Sequence, residues 1–142
     1  MEKIESFTGD YRFLSNFYFP EFRRIPYEGI NYPTVEHAYQ AAKTLDNNQR
    51  IKIAQLDTPG KAKRAGRQVK LREDWDEVKL QVMTNLIWMK FQVPGLRLKL
   101  LATGDVELIE GNYWGDTYWG VCRGKGENNL GKILMNVRKV LQ

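Results

Sequence analysis

The stretch "YPTVEHAYQAAK", Tyr32 to Lys43, carries a carboxylate at Glu36 and an amine at Lys43 among small or apolar residues. A helix turns about 100° per residue, so these two side chains, two turns apart, point the same way, with Gln40 between them. A second stretch, "LIEGNYWGDTYWG", supplies two more carboxylates, Glu110 and Asp116, beside Trp114, Tyr118 and Trp119. Cleavage of a glycosidic bond uses this inventory. A carboxylate stabilises an oxocarbenium-like transition state or activates water, and an acid protonates the leaving group. Aromatic rings in a loop either cover the core or stack on a base or a sugar.

Thr34 suits a helix N-cap, and the helix it starts should run to about Leu45. Val35, Ala38, Ala42 and Leu45 form a stripe expected to face the core. Glu36, Gln40 and Lys43 line the adjoining edge, with Tyr39 between edge and core. His37 projects away from that edge and reads as structural. Helix electrostatics alone would select the same charges, because an acid suits the first turn and a base the last. The spacing therefore fits both a pocket wall and a capped surface helix.

Other elements follow from their punctuation. "FRRIPYEGINY" reads as a β-hairpin turning at Glu28-Gly29, with Pro26 on an edge strand. Asp46 or Asn47 caps a second helix through Ile51 and Ala54. Thr58-Pro59 starts a third, since proline suits the first helical position. Asp74 caps a long helix, Trp75 to Phe91, with Trp75, Val78, Val82, Leu86 and Met89 at helical spacing. Pro94-Gly95 breaks it, and Leu96 to Ala102 forms a short helix that Gly104 ends. "VELIE" reads as a strand and "GNYWGDTYWGVCRGKGEN" as a long loop. A last helix from about Asn129 should bury Leu130, Ile133, Leu134, Val137 and Leu141. The sum is an α+β domain, mostly helical, with a small antiparallel sheet from the N-terminal strands and the late strand.

"GENNLGK" matches the spacing of a phosphate-binding loop, but Ile133 follows Lys132 where magnesium chemistry needs Ser or Thr. No buried apolar strand precedes it either, so a nucleoside-triphosphatase reading fails. A glycine-rich segment entering a helix N-terminus still offers backbone N–H groups to an anion.

The chain has 142 residues, 42% apolar and 27% charged. One domain, residues 1–142, is the expectation. The opening "MEKIESFTGDYRF" does not read as a signal or transit peptide, and no apolar run is long enough for a bilayer. A single cysteine, Cys122, fits a reducing, cytoplasmic setting. One histidine and one cysteine argue against a protein-built zinc site, and hydrolysis calls for no metal or organic cofactor. A net charge of +5 favours phosphorylated partners. The basic run Lys61, Lys63, Arg64, Arg67, Lys70 and Arg72 is either a solvated helix face or part of such a surface.

The ordered series "FLSNFY", "YPTVEHAYQAAK", "TPGKAKRAGR", "LREDW…VK…VM", "LIE", "DTYWG" and "GKGENNLGKILMNVR" resembles the YbiA-like, or NADAR, family. The likeness runs from about Ser15 to Arg138. "YWG" occurs twice, and the second copy fits the family's D-x-x-W-G as Asp116-Thr-Tyr-Trp119-Gly120. The resemblance implies a YbiA-like fold and an N-glycosidase without cofactors. Its substrate would be a phosphorylated ribosylamino-pyrimidine of the early riboflavin pathway, or ADP-ribosylated guanine in nucleic acid. It implies Glu36 as the catalytic carboxylate and Lys43 as a nucleophile through a Schiff base. Glu110 and Asp116 would be supporting acids or sugar ligands. Ser15, Asn16 and Phe17 of the S-N-F motif would meet the substrate, and Trp119, followed by Gly120, would stack on base or ribose. Arg67, Lys125 and the backbone around Gly126 and Asn128 would hold phosphate.

Two rival classes have distinct requirements. A non-catalytic ADP-ribose or nucleotide-binding module would keep Trp119 and the glycine loop but not need three carboxylates. A basic nucleic-acid-binding protein would use the Lys61 to Arg72 run and bind plain DNA or RNA with steep salt dependence.

Overall fold

The computed structural model describes residues 2–20 and 24–142. In chain order the elements are β1 (Lys3–Ile4), a 3₁₀ helix (Gly9–Leu14), β2 (Ile25–Tyr27), β3 (Ile30–Tyr32), α1 (Val35–Ala42), α2 (Asn47–Ala54), α3 (Pro59–Ala65), α4 (Trp75–Lys90), α5 (Pro94–Ala102), β4 (Glu107–Leu108), β5 (Gly111–Asn112), β6 (Val121–Cys122) and α6 (Asn129–Leu141). The chain is α+β and mostly helical, as the sequence suggests. Its internal packing divides it into two compact units: Asn16–Lys90, and the N-terminal residues through Ser15 with Phe91–Gln142.

The Asn16–Lys90 unit is built around α1. Thr34 Oγ1 accepts from the His37 backbone N–H at 3.1 Å and closes the first turn. Every residue of α1 is buried. Alanines at 38, 41 and 42 are wholly enclosed, and α1 packs on α2, α3 and α4. Leu45 departs from the expected stripe. The helix ends at Ala42, and Leu45 is 67% exposed. Asp46 Oδ1 caps α2 by accepting from Asn48 and Gln49, and Thr58 Oγ1 caps α3 by accepting from Lys61. At the start of α4 the Asp74 carbonyl accepts from the Val78 N–H at 3.1 Å, and its carboxylate pairs with the Arg72 guanidinium at 2.6 Å. The β2–β3 pair is antiparallel, and Glu28 and Gly29 both take positive φ at its turn, as a tight hairpin requires. The Phe22-Arg23 start of that expected hairpin lies outside the described residues.

In the other unit α6 buries Leu130, Ile133, Leu134, Val137 and Leu141, the five residues its spacing selects, and packs on α5 and β4. Buried Arg138 donates to Thr103 Oγ1 at 2.9 Å and to the Val106 carbonyl at 2.8 Å. The late strand β4 pairs parallel with β1 instead of antiparallel with the N-terminal strands. Within the expected loop, β5 and β6 form a second short parallel pair. α5 begins at Pro94, two residues before the expected start, because proline needs no N–H partner at a first helical position. Among the described residues no helix is long and apolar enough to cross a membrane.

Candidate active site

The sequence-predicted residues fall into two sets, one in each unit. In the Asn16–Lys90 unit, Glu36 is 8% exposed, on the first turn of α1. Its backbone N–H donates to the Asn16 carbonyl at 3.1 Å, which ties the S-N-F motif to the E-H motif. Its Oε2 accepts from Gln40 Nε2 at 2.6 Å, an i,i+4 contact along the helix edge. Asn16 is buried, its Nδ2 reaching Met83 Sδ at 3.5 Å, while Phe17 is 39% exposed. Asn16 Oδ1 is enclosed with no hydrogen-bond partner among the described residues, so an acceptor sits ready beside the helix that carries Glu36.

Lys43 caps the C-terminal end of α1, and its ammonium lies 5.7 Å from the centre of the Tyr39 ring. Burial pushes its pKa below the ordinary lysine value; Glu36 pulls it up, and the charges of Arg67, Lys63 and Lys79 push it down again. The net shift is toward the neutral amine that a nucleophilic lysine needs. Arg67, expected as a phosphate ligand, is exposed just beyond α3. Sequence reasoning grouped Lys63 with Arg67 in one basic run but missed Lys79 and the influence of all three on Lys43, because α3 and α4 reach Lys43 only through tertiary packing.

His37 is structural, as expected. A carbonyl can only accept, so His37 Nε2 donates to the Leu56 carbonyl at 2.9 Å. Nδ1 then accepts from the Thr34 hydroxyl at 2.7 Å. Burial lowers the imidazole pKa more than the Leu56 carbonyl raises it, so the ring is a neutral strut between α1 and the end of α2.

In the other unit, Asp116 Oδ1 accepts from the N–H groups of Tyr118 at 3.2 Å and Trp119 at 2.9 Å. One carboxylate oxygen thus holds the turn that presents the Trp119 indole, which meets the Tyr118 ring edge-on at 4.7 Å. Asn112 fixes the turn from the other side, donating to the Asp116 carbonyl at 2.8 Å and accepting from its N–H at 3.0 Å. Glu110 follows β4, with Oε2 fully enclosed. Its N–H donates to Asn128 Oδ1 at 2.9 Å, and Asn128 Nδ2 donates to the Leu108 carbonyl at 2.9 Å. Gly120 and Gly126 have structural reasons. A Cβ on Gly120 would overlap the Glu110 carbonyl, and one on Gly126 the Gly120 carbonyl. Ser15 ends the 3₁₀ helix, donating its N–H to the Arg12 carbonyl, and the Lys125 side chain is exposed.

The start of α6 differs from the expected anion site. The N–H groups of Glu127, Asn128, Asn129 and Leu130 donate to the carbonyls of Thr117, Gly120, Tyr118 and Trp119. The aromatic loop itself caps the helix, so these four donors already have protein acceptors. Asn128, in a left-handed conformation, spends its side chain bracing β4.

The α+β fold matches a solved structure. The chain is similar to the NMR structure of YbiA from Escherichia coli with a TM-score of 0.83 and 40% identity, covering 98% of this chain and 83% of that one. A family model of the NADAR domain matches residues 5–142, and the chain belongs to the NADAR domain family. It is 41% identical to N-glycosidase YbiA of Escherichia coli, across 96% of this chain and 85% of that protein. It is 40% identical to an N-glycosidase of Nostoc punctiforme, across 77% and 74%. A riboflavin biosynthesis protein of Vibrio vulnificus is 39% identical across 92% of this chain, which spans 35% of that longer protein. With these relatives, the chain is an N-glycosidase of the NADAR family, a hydrolase of N-glycosyl bonds.

Proposed function

We propose that the chain hydrolyses the N-glycosidic bond of a phosphorylated, nucleoside-like substrate. The class is either a ribosylamino-pyrimidine phosphate of the early riboflavin pathway or an ADP-ribosylated guanine. A relative named for riboflavin biosynthesis supports the first. Glu36 is the catalytic carboxylate, Lys43 the nucleophile, and Asn16 a substrate hydroxyl's acceptor. Trp119 stacks on the base or ribose, Glu110 is a supporting acid, and Asp116 sets the Trp119 turn. The cations Arg67, Lys63 and Lys79 favour a phosphorylated ligand.

The observation that carries the reading is the Lys43 amine, pushed toward neutrality two turns from the enclosed carboxylate of Glu36. In the covalent route Nζ attacks the anomeric carbon as the bond to the base breaks and the base takes up a proton. Opening of the sugar ring, with a proton passing to its oxygen, leaves an imine. Water then hydrolyses the imine and restores the amine. In the alternative route Glu36 directs water at the same carbon, and Lys43 serves only as a charge.

The test incubates the protein with both substrate classes and looks for released base by mass spectrometry. Glu36→Gln should abolish release while the protein still folds. Borohydride during turnover should trap a sugar on Lys43. Release without trapping selects the water route, and the sign of the pH dependence separates the two as well. A neutral-amine nucleophile gives a rate that climbs with pH until Lys43 is deprotonated, and Lys43→Met removes that climb. Binding of ADP-ribose that survives Glu36→Ala, with no base released from any substrate, would instead establish a binding module.

A further inference from the structure

Gln40 stands at an expensive position for an amide. It is 4% exposed, and its Oε1 is enclosed with no hydrogen-bond partner among the described residues. An unsatisfied buried acceptor is destabilising, and a leucine or methionine would fill the space without that cost. The other end of the amide explains the choice, since Nε2 donates to Glu36 Oε2 at 2.6 Å. The neighbouring helix is shaped to accept the arrangement. Gly66, the C-cap of α3, lies against the amide, and a Cβ there would overlap Gln40 Oε1 and come within 2.7 Å of Cδ.

We propose that Gln40 is a positioning residue for Glu36: α1 and the glycine end of α3 together lock its amide so that it fixes one carboxylate oxygen and with it the orientation of the whole group. The inference rests on Glu36 as the catalytic carboxylate and adds what holds that group in register. A donor aimed at a carboxylate orients it and favours its ionised form. The cations that act on Lys43, at the other end of this edge, are Arg67 beyond α3, Lys63 of α3 and Lys79 of α4. Substituting Gln40 alters none of them, so a change in the pH profile traces to the lost amide.

Gln40→Met keeps length and removes the donor. The expected result is a fall in kcat of roughly ten- to a hundredfold with KM within about threefold of the parent, because orientation counts most in the transition state. The acid limb of kcat/KM should move to higher pH, as Glu36 loses a hydrogen bond that favours its charge. Gln40→Glu keeps the shape and carries the test if the methionine variant does not fold. It donates only when protonated, so its activity should survive at low pH and decline as pH rises and the two carboxylates repel. Parent kcat and an unmoved acid limb in Gln40→Met, or no added decline with pH in Gln40→Glu, overturns the inference if Glu36→Gln is inactive. An active Glu36→Gln overturns the catalytic reading, and the inference with it.

Discussion

The tripeptides Tyr113-Trp114-Gly115 and Tyr118-Trp119-Gly120 have the same composition, and the fold treats them differently. In the first, Tyr113 is 84% exposed and Trp114 53%, the two rings meeting edge-on at 5.2 Å. In the second, both rings are half-buried and Gly120 is buried. The backbone makes the difference. Asp116 binds the N–H groups of Tyr118 and Trp119, while the carbonyls of Tyr118, Trp119 and Gly120 accept from the N-cap and first turn of α6. The second copy is a helix cap that carries an indole; the first is a surface excursion between β5 and that cap. An aromatic side chain contributes to a rigid site only when its own backbone is held.

The largest break in this comparison comes from the glycines. A methyl group at Gly120 overlaps the Glu110 carbonyl, backbone that cannot swing aside. Gly120→Ala should therefore destabilise by about 3 kcal/mol or more in urea unfolding. Gly115 has open space around it and a φ of +89°, so Gly115→Ala meets only the backbone penalty, about 1 kcal/mol. Equal costs at the two positions would show that the second copy is not locked as described.

Activity sharpens the same contrast. Base stacking on an aromatic ring is worth about 1–3 kcal/mol. Trp119→Ala should therefore lower kcat/KM roughly ten- to a hundredfold, with little change in the unfolding midpoint. Asp116→Ala removes the acceptor for two N–H groups and should cost about 1–2 kcal/mol of stability. Asp116→Asn keeps an oxygen in that place and should recover most of the stability and, if Asp116 acts only through the turn, most of the activity. A dead but stable Asp116→Asn would return this carboxylate to the chemistry itself.

Helix starts were legible because Thr34, Asp46 and Thr58 act locally through their own side chains. The buried face of α6 was legible because five apolar residues keep helical spacing. The 3₁₀ helix Gly9–Leu14 escaped, being short and lacking a side-chain cap. β4 was legible as the strand "VELIE", but its parallel pairing with β1 and the whole β5–β6 pair escaped, because two-residue strands carry no alternation and their partners are distant in sequence. In the candidate site, the Glu36, Gln40 and Lys43 edge follows from helix geometry. The cations near Lys43 and the clearance Gly66 gives Gln40 depend on tertiary packing. The capping of α6 by loop carbonyls was hidden for a different reason. It is made by backbone atoms, which every residue type supplies, so the glycine-rich entry looked like an open anion site.

The smallest expected effect is at Trp114. Its ring is more than half exposed beside a tyrosine that is nearly all exposed, on a turn whose glycine has nothing packed against it. Little apolar surface returns to water when it is removed, and exposed positions of this kind shift stability by about 0.5 kcal/mol or less. Trp114→Ser should therefore leave both the unfolding midpoint and kcat/KM close to the parent, beside the large loss at Trp119. A substantial fall in kcat/KM with stability intact would mean that the exposed ring folds onto the substrate. The first copy would then be a mobile partner of the second, and the distinction between a held indole and an exposed one would not extend to the enzyme with substrate bound.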